Sequence, residues 1–231
     1  MANTFRIPSG ILRSLGLWAE AWFIPPTCVH CGKQRFEFLP LCRACLRVLR
    51  DARVLDEEVM PLPWVHALFR LTPPQQTLIH GFKYHHYRRH IRFLCAYLRY
   101  RLVFADRMGW PDLLIPVPLH AARRRERGYN QSQLIAEETG KQFALPVFAK
   151  GLNRVRFTST QTKLGGDARA KNLLGAFHAD PKIVAGKKVL LIDDVCTTGS
   201  TLDACRLELL RAGASEVGAF VLAWVERENL G

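Results

Sequence analysis

Two sets of residues in this 231-residue chain have the types and spacing to do chemistry. The first is four cysteines, "CVHC" at Cys28 and Cys31 and "CRAC" at Cys42 and Cys45, the two pairs ten residues apart. Each CxxC pair can fold as a tight turn that aims two thiolates at one point, and Zn²⁺ takes four such ligands tetrahedrally. Gly32 suits the turn after the first pair. Lys33, Arg35, Arg43 and Arg47 are close in sequence and can offset the surplus negative charge of four thiolates. With all four positions filled, the site is expected to be structural, with no open position for catalysis. Two disulfides or four unligated core cysteines are the competing readings, and a reducing compartment favours the metal. Cys95, Cys196 and Cys205 are scattered and expected to be reduced.

The second set is "VLLIDDVCTTGSTL", residues 189–202. Four apolar residues lead into Asp193 and Asp194; Thr197, Thr198, Gly199, Ser200 and Thr201 follow, and an apolar-periodic stretch begins at Leu202. A helix N-terminus presents unpaired N–H groups and the positive end of the helix dipole, so the loop suits a phosphate. Gly199 allows close backbone approach, and the hydroxyls add donors. The carboxylates suit hydroxyls or a metal. A ligand that satisfies both is a phosphorylated sugar, its phosphate in the loop and its ribose hydroxyls on the acids. The alternative is an ordinary helix cap after an ordinary strand, but two adjacent acids there are costly without partners. Neither GxxxxGK[ST] nor GxGxxG is present.

The elements that must position these groups follow from periodicity. Strands are predicted at residues 64–71, 112–119, 187–195 and 216–226, and an extended stretch at 144–156. Helices are predicted at 74–84, 88–105, 130–144 and 200–213, the last ending at Gly213. Such alternation gives an α/β fold, a mostly parallel sheet flanked by helices, with ligands beyond the carboxyl ends of the strands. A small four-cysteine zinc module precedes it. The predicted division is 1–62 for an N-terminal helix plus the module and 63–231 for the α/β body. Residues 10–24 read as an amphipathic helix that docks on the rest of the protein. No signal peptide or transmembrane span is expected, which points to the cytoplasm.

The stretch around the acid pair resembles the phosphoribosyl pyrophosphate (PRPP) motif of type I phosphoribosyltransferases: four apolar residues, two acids, then TTGxT. The CxxC pairs, "FKY" at 82–84, "PVPLHAARRRERGYNQ" at 116–131, "RFTSTQTKLGGDARAKNLLGAF" at 156–177 and the PRPP motif also stand in the order of the ComF family. That resemblance covers residues 22–224. It implies a zinc ribbon joined to a type I phosphoribosyltransferase domain, and a link to DNA uptake and natural transformation. It further implies PRPP bound with Mg²⁺, Asp193 and Asp194 on the ribose hydroxyls with one of them able to take a proton, and residues 197–201 on the 5′-phosphate. Pyrophosphate or substrate candidates are Lys83, Arg123, Arg127, Asn130, Gln131 and Arg169. Helix capping explains Asn130 equally well. Residues 156–172 read either as a mobile lid over the leaving pyrophosphate or as a plain surface loop. Cys196 departs from a fixed pattern and is either a thiol activated by the helix N-terminus or an inert filler.

Charge bears on partners. Lys plus Arg number 33 against 20 Asp plus Glu, a net +13. Residues 80–129 hold 11 Lys/Arg against 3 Asp/Glu. This excess fits an anionic partner, either substrate phosphates or a single strand of nucleic acid with Tyr84, Tyr87, Phe93 and Tyr97 stacking on bases. A solvated basic face is the other reading. His85, His86 and His90 are not read as a metal site, because Lys83, Arg88, Arg89 and Arg92 would repel a cation. Two functions remain: phosphoribosyl transfer to an acceptor, or a DNA-uptake accessory that binds single-stranded DNA or partner proteins and keeps PRPP as a regulatory ligand or a relic.

Overall fold

A computed structural model describes residues 27–34, 39–52, 62–84, 88–96, 110–156, 173 and 175–225. The predicted helix at 10–24, His85, His86, Tyr87 and Tyr97, the far half of the long basic helix, and the lid candidate beyond Arg156 lie outside these residues. The strands are β1 (Val65–Arg70), β2 (Leu113–Pro116), β3 (Leu152–Arg154), β4 (Phe177–Ala179), β5 (Lys188–Cys196) and β6 (Glu216–Trp224). The helices are α1 (Arg43–Asp51), α2 (Pro73–Tyr84), α3 (Arg88–Ala96), α4 (Ala121–Arg127), α5 (Gln131–Phe143), α6 (Pro181–Val184) and α7 (Ser200–Arg211). Among the described residues no helix is long and apolar enough to cross a membrane.

The main sheet runs β1-β6-β5-β2, and each of its pairings is parallel. Parallel neighbours need crossovers, which the helices between the strands supply. The central strands are apolar on both faces, as a doubly covered sheet requires. On β5 the period-2 alternation sends Leu190 and Ile192 to one core and Val189 and Leu191 to the other. The first core also takes Leu68, Leu78, Ile91, Leu94 and Ile135 from β1, α2, α3 and α5. The second takes Leu202, Cys205 and Leu209 of α7, with Leu152, Phe177 and Ala179 of an antiparallel β3–β4 hairpin.

The cysteine module does not stand apart from this body. Cys28, Leu39, Leu41, Cys42, Cys45, Leu46 and Leu49 join the first core. His30 Nδ1 lies 2.9 Å from Thr77 Oγ1 on α2, and the Arg70 N–H donates to the Ala52 carbonyl at 2.7 Å.

Two features were not legible from periodicity. Residues 121–127, a run of basic residues, form the short helix α4, capped by His120 and ended by Gly128 at φ 76. The β4 partner of β3 is three residues long, too short to give a pattern of its own.

Candidate functional site

The site is made where β2 stops and β5 continues. β2 contains Pro116 and is followed by Pro118, and a proline has no N–H to extend a ladder. The last β2–β5 pair is Pro116 with Ile192, and the Val117 N–H closes on the Ile192 carbonyl at 2.9 Å. β5 runs on through Asp193, Asp194, Val195 and Cys196 with β6 as its neighbour, Asp193 opposite Val221 and Cys196 opposite Trp224. The acid pair therefore lies at the carboxyl end of the sheet, beyond its β2 edge. Both acids are half-buried.

Each carboxylate is held. Asp193 Oδ1 accepts from Ser132 Oγ at 2.7 Å and from the Asp194 N–H at 2.9 Å. Asp194 Oδ1 accepts from the Val195 N–H at 2.7 Å. Three residues on, the chain turns into α7 through Gly199 at φ 79. Thr198 Oγ1 and Ser200 Oγ are 3.0 Å apart, Thr197 is exposed, and Ser200 and Thr201 are half-buried at the start of the helix. The N-cap of α7, Gly199, has no side chain to cap the first turn, whereas His120, Asn130 and Asp180 cap α4, α5 and α6, and Thr198 Oγ1 lies 3.5 Å from the Ser200 N. The first turn of α7 thus offers backbone donors and the positive end of a 12-residue helix.

Of the surrounding candidates, Arg123 is half-buried while Arg124 and Arg125 are exposed. Asn130 has both ends of its amide engaged: Nδ2 donates to the Val117 carbonyl at 3.0 Å and Oδ1 accepts from the Ser132 N–H at 3.1 Å. The structure thus gives it the capping role. Gln131 is 2% exposed, and its Nε2 has no hydrogen-bond partner among the described residues. Lys83 is the penultimate residue of α2 and Arg127 ends α4; their side chains, and Arg169 altogether, lie outside the described residues. His90 is buried, with Nδ1 3.2 Å from the Leu78 carbonyl.

Two residues near the acids were missed. Ser132 is one. Arg154 on β3 is the other: its guanidinium lies 5.4 Å from the centre of the Phe177 ring. Burial pulls its pKa down, Arg123 adds to that, and Asp193 opposes it. Arg154 thus feels the charges of both Arg123 and Asp193. Nothing local marks either residue, because both reach Asp193 only through the tertiary fold. Cys196 is 2% exposed, and burial first, then the Asp193 charge, pushes its thiol up to about 11. That resolves its two readings in favour of the inert filler.

The four-cysteine centre fits its metal. The Sγ atoms of Cys28, Cys31, Cys42 and Cys45 lie within 4.8 Å of one another. Cys31 and Cys42 sulfurs are 3.6 Å apart, too far for a disulfide. A tetrahedron with Zn–S bonds of about 2.3 Å has edges of about 3.8 Å. Burial raises the Cys28 thiol, but the N–H groups of Cys31, Cys42 and His30 outweigh it and lower it to about 7. The Cys45 N–H likewise lowers Cys42. Gly32 takes φ 70 in the turn after the first pair, as that turn requires.

Known proteins resemble this arrangement. Residues 121–229 match the phosphoribosyl transferase domain family. The DNA utilization protein YhgH of Salmonella typhimurium is 31% identical over 208 residues, which are 87% of this chain and 90% of that one. Competence protein F of Haemophilus influenzae is 30% identical over 203 residues, 86% of this chain and 84% of that one. Competence protein ComFC of Bacillus subtilis is 33% identical over 119 residues, 49% of this chain and 46% of that one. The matched domain takes in the acid pair and its loop, and the likeness to YhgH and competence protein F runs through most of the chain, so the protein belongs to the ComF family, with a type I phosphoribosyltransferase fold behind a four-cysteine module.

Proposed function

We propose that the protein binds PRPP with Mg²⁺ and transfers its phosphoribosyl group to a nucleophilic acceptor. One observation carries this reading: two half-buried carboxylates beyond the β2 edge of the sheet are followed, after the hydroxyl-bearing Thr197 and Thr198, by a helix start whose N-cap is a glycine. Residues 197–201 would hold the 5′-phosphate on backbone N–H groups and hydroxyls. Asp193 and Asp194 would accept hydrogen bonds from the ribose hydroxyls. Arg123, half-buried on the helix that follows β2, is the first pyrophosphate candidate, with Lys83, Arg127, Gln131 and Arg169 as further candidates. When bound with PRPP, Mg²⁺ would supply charge neutralisation on the leaving group. In the transfer, the acceptor's lone pair forms a bond to C1 of the ribose. The C1–O bond to pyrophosphate breaks with its electron pair leaving on oxygen, and the acceptor's proton passes to a carboxylate of the pair. The four cysteines would hold Zn²⁺ as a structural ion.

The relatives' names, DNA utilization protein and competence protein, support tying this chemistry to the use of DNA. A reduced four-cysteine site and a PRPP substrate both suit the cytoplasm.

Calorimetry with PRPP and Mg²⁺ tests the reading. Binding is expected in the parent chain, and Asp193→Asn with Asp194→Asn should weaken it by about two orders of magnitude, since hydrogen bonds involving charged groups are worth roughly 1.5–3 kcal/mol each. Pyrophosphate release against a panel of bases and nucleic acids then identifies the acceptor class. A parent chain that does not bind PRPP overturns the proposal.

A further inference from the structure

Asp193 is tied to α5 through a serine that lies 61 positions away in sequence. Ser132 is the second residue of α5 and is 4% exposed. A buried serine in a helix commonly turns its hydroxyl back to the helix's own backbone. Here the hydroxyl instead donates to Asp193 Oδ1 at 2.7 Å. The Ser132 N–H donates to Asn130 Oδ1, and Asn130 Nδ2 donates to the carbonyl of Val117, just past the end of β2. An unbroken line of bonds thus runs from the end of β2, through the cap of α5, to one oxygen of the acid pair.

An aspartate has two side-chain torsions. Two donors on the same oxygen, Ser132 Oγ and the Asp194 N–H, hold both in place. Asp194 makes its own bond elsewhere, its Oδ1 accepting from the Val195 N–H. The bond to Ser132 is made by Asp193, so the two acids are not interchangeable.

We propose that Ser132 is a positioning residue for Asp193, fixing that carboxylate as the acceptor of a ribose hydroxyl while leaving the phosphate-binding groups untouched. The proposal rests on the PRPP reading above and divides its labour: sugar recognition depends on the Ser132 hydroxyl, and pyrophosphate recognition does not.

The test compares two ligands on full-length, zinc-loaded protein with Mg²⁺ present. Ser132→Ala is expected to weaken ribose 5-phosphate about tenfold, the worth of one hydrogen bond involving a charged group. Its affinity for inorganic pyrophosphate should stay within about twofold of the parent's on the same grounds. Ser132→Thr, which keeps a hydroxyl, should recover the ribose 5-phosphate affinity. The ratio of the two affinities is a readout that general loosening of α5 would not move, and the alanine variant can be read on that ratio alone if the threonine variant fails to fold. A Ser132→Ala variant that binds ribose 5-phosphate as the parent does, or that loses both ligands equally, overturns the positioning role and leaves the PRPP reading standing. A parent chain that binds no ribose 5-phosphate overturns both.

Discussion

Gly199 serves backbone and packing together. At φ 79 it stands in the left-handed region, where an L side chain costs roughly 1–2 kcal/mol. A Cβ built there would run into Leu62 Cδ1 and approach Cys196 Sγ to 3.9 Å. Leu62 belongs to the segment that leads into β1, next to Trp64, whose ring lies 5.1 Å from the Arg206 guanidinium of α7. Read from sequence, the glycine is there for a phosphate's approach; the structure adds a glycine requirement that exists before any ligand arrives. Gly199→Ala is therefore expected to destabilise the free protein, and Gly199→Val more, because a β-branched side chain tolerates positive φ least. Combining Gly199→Ala with Leu62→Ala should destabilise less than the sum of the single variants, since the shortened leucine removes the collision. Urea denaturation of the four proteins measures this, and strict additivity would show that the Leu62 contact does not matter. Cys196, beneath the same turn, needs only its small volume and its buried, protonated thiol.

The cysteine module and the helices α2 and α3 share one core, and this sets what metal loss should do. Zinc binding by four thiolates can contribute on the order of 10 kcal/mol to local folding. Cys42→Ser should abolish full zinc occupancy by elemental analysis. Because Leu46 and Leu49 of α1 pack in the core that holds Leu78, Ile91 and Leu94, the loss should spread. Hydrogen exchange is expected to rise in α2 and α3 as well as in α1, while α7, which faces the other core through Leu202 and Leu209, stays protected. Exchange confined to α1 would show that the module is energetically separate. At this scale much was readable in advance. The run "VLLIDD" announced β5 because four consecutive apolar residues suit a strand buried on both faces, and Asn130 and Gly213 marked helix ends by their capping chemistry. What escaped was whatever depends on distant partners. β4 has three residues and exists because Phe177 pairs with Arg154; the α4 helix depends on the His120 cap; Ser132 and Arg154 look ordinary until the fold carries them to Asp193.

For the molecule as a whole, the net charge of +13 is the property that concerns a polyanionic partner. The basic helix α3 holds one of its arginines against a carboxylate. Arg92 lies 3.8 Å from Glu138 of α5, and Glu138 is also 3.4 Å from Lys141. A phosphate backbone reaching Arg92 must compete with that carboxylate, so Arg92 should give less to nucleic-acid binding than a full phosphate contact would. Each phosphate contact to a single strand contributes about 0.7 to the slope of log affinity against log salt. If the 80–129 segment contacts DNA, neutralising Arg88, Arg89 and Arg92 to glutamine together should flatten the slope by up to about 2 on that scale. Arg92→Gln alone should change it by less than the roughly 0.7 of a full phosphate contact. Fluorescence anisotropy with a labelled single strand across a salt series measures these slopes. Binding that ignores salt, or a triple variant with the parent's slope, would mean that these arginines form a solvated face. The basic charge would then serve the phosphates of a small substrate rather than a strand of DNA.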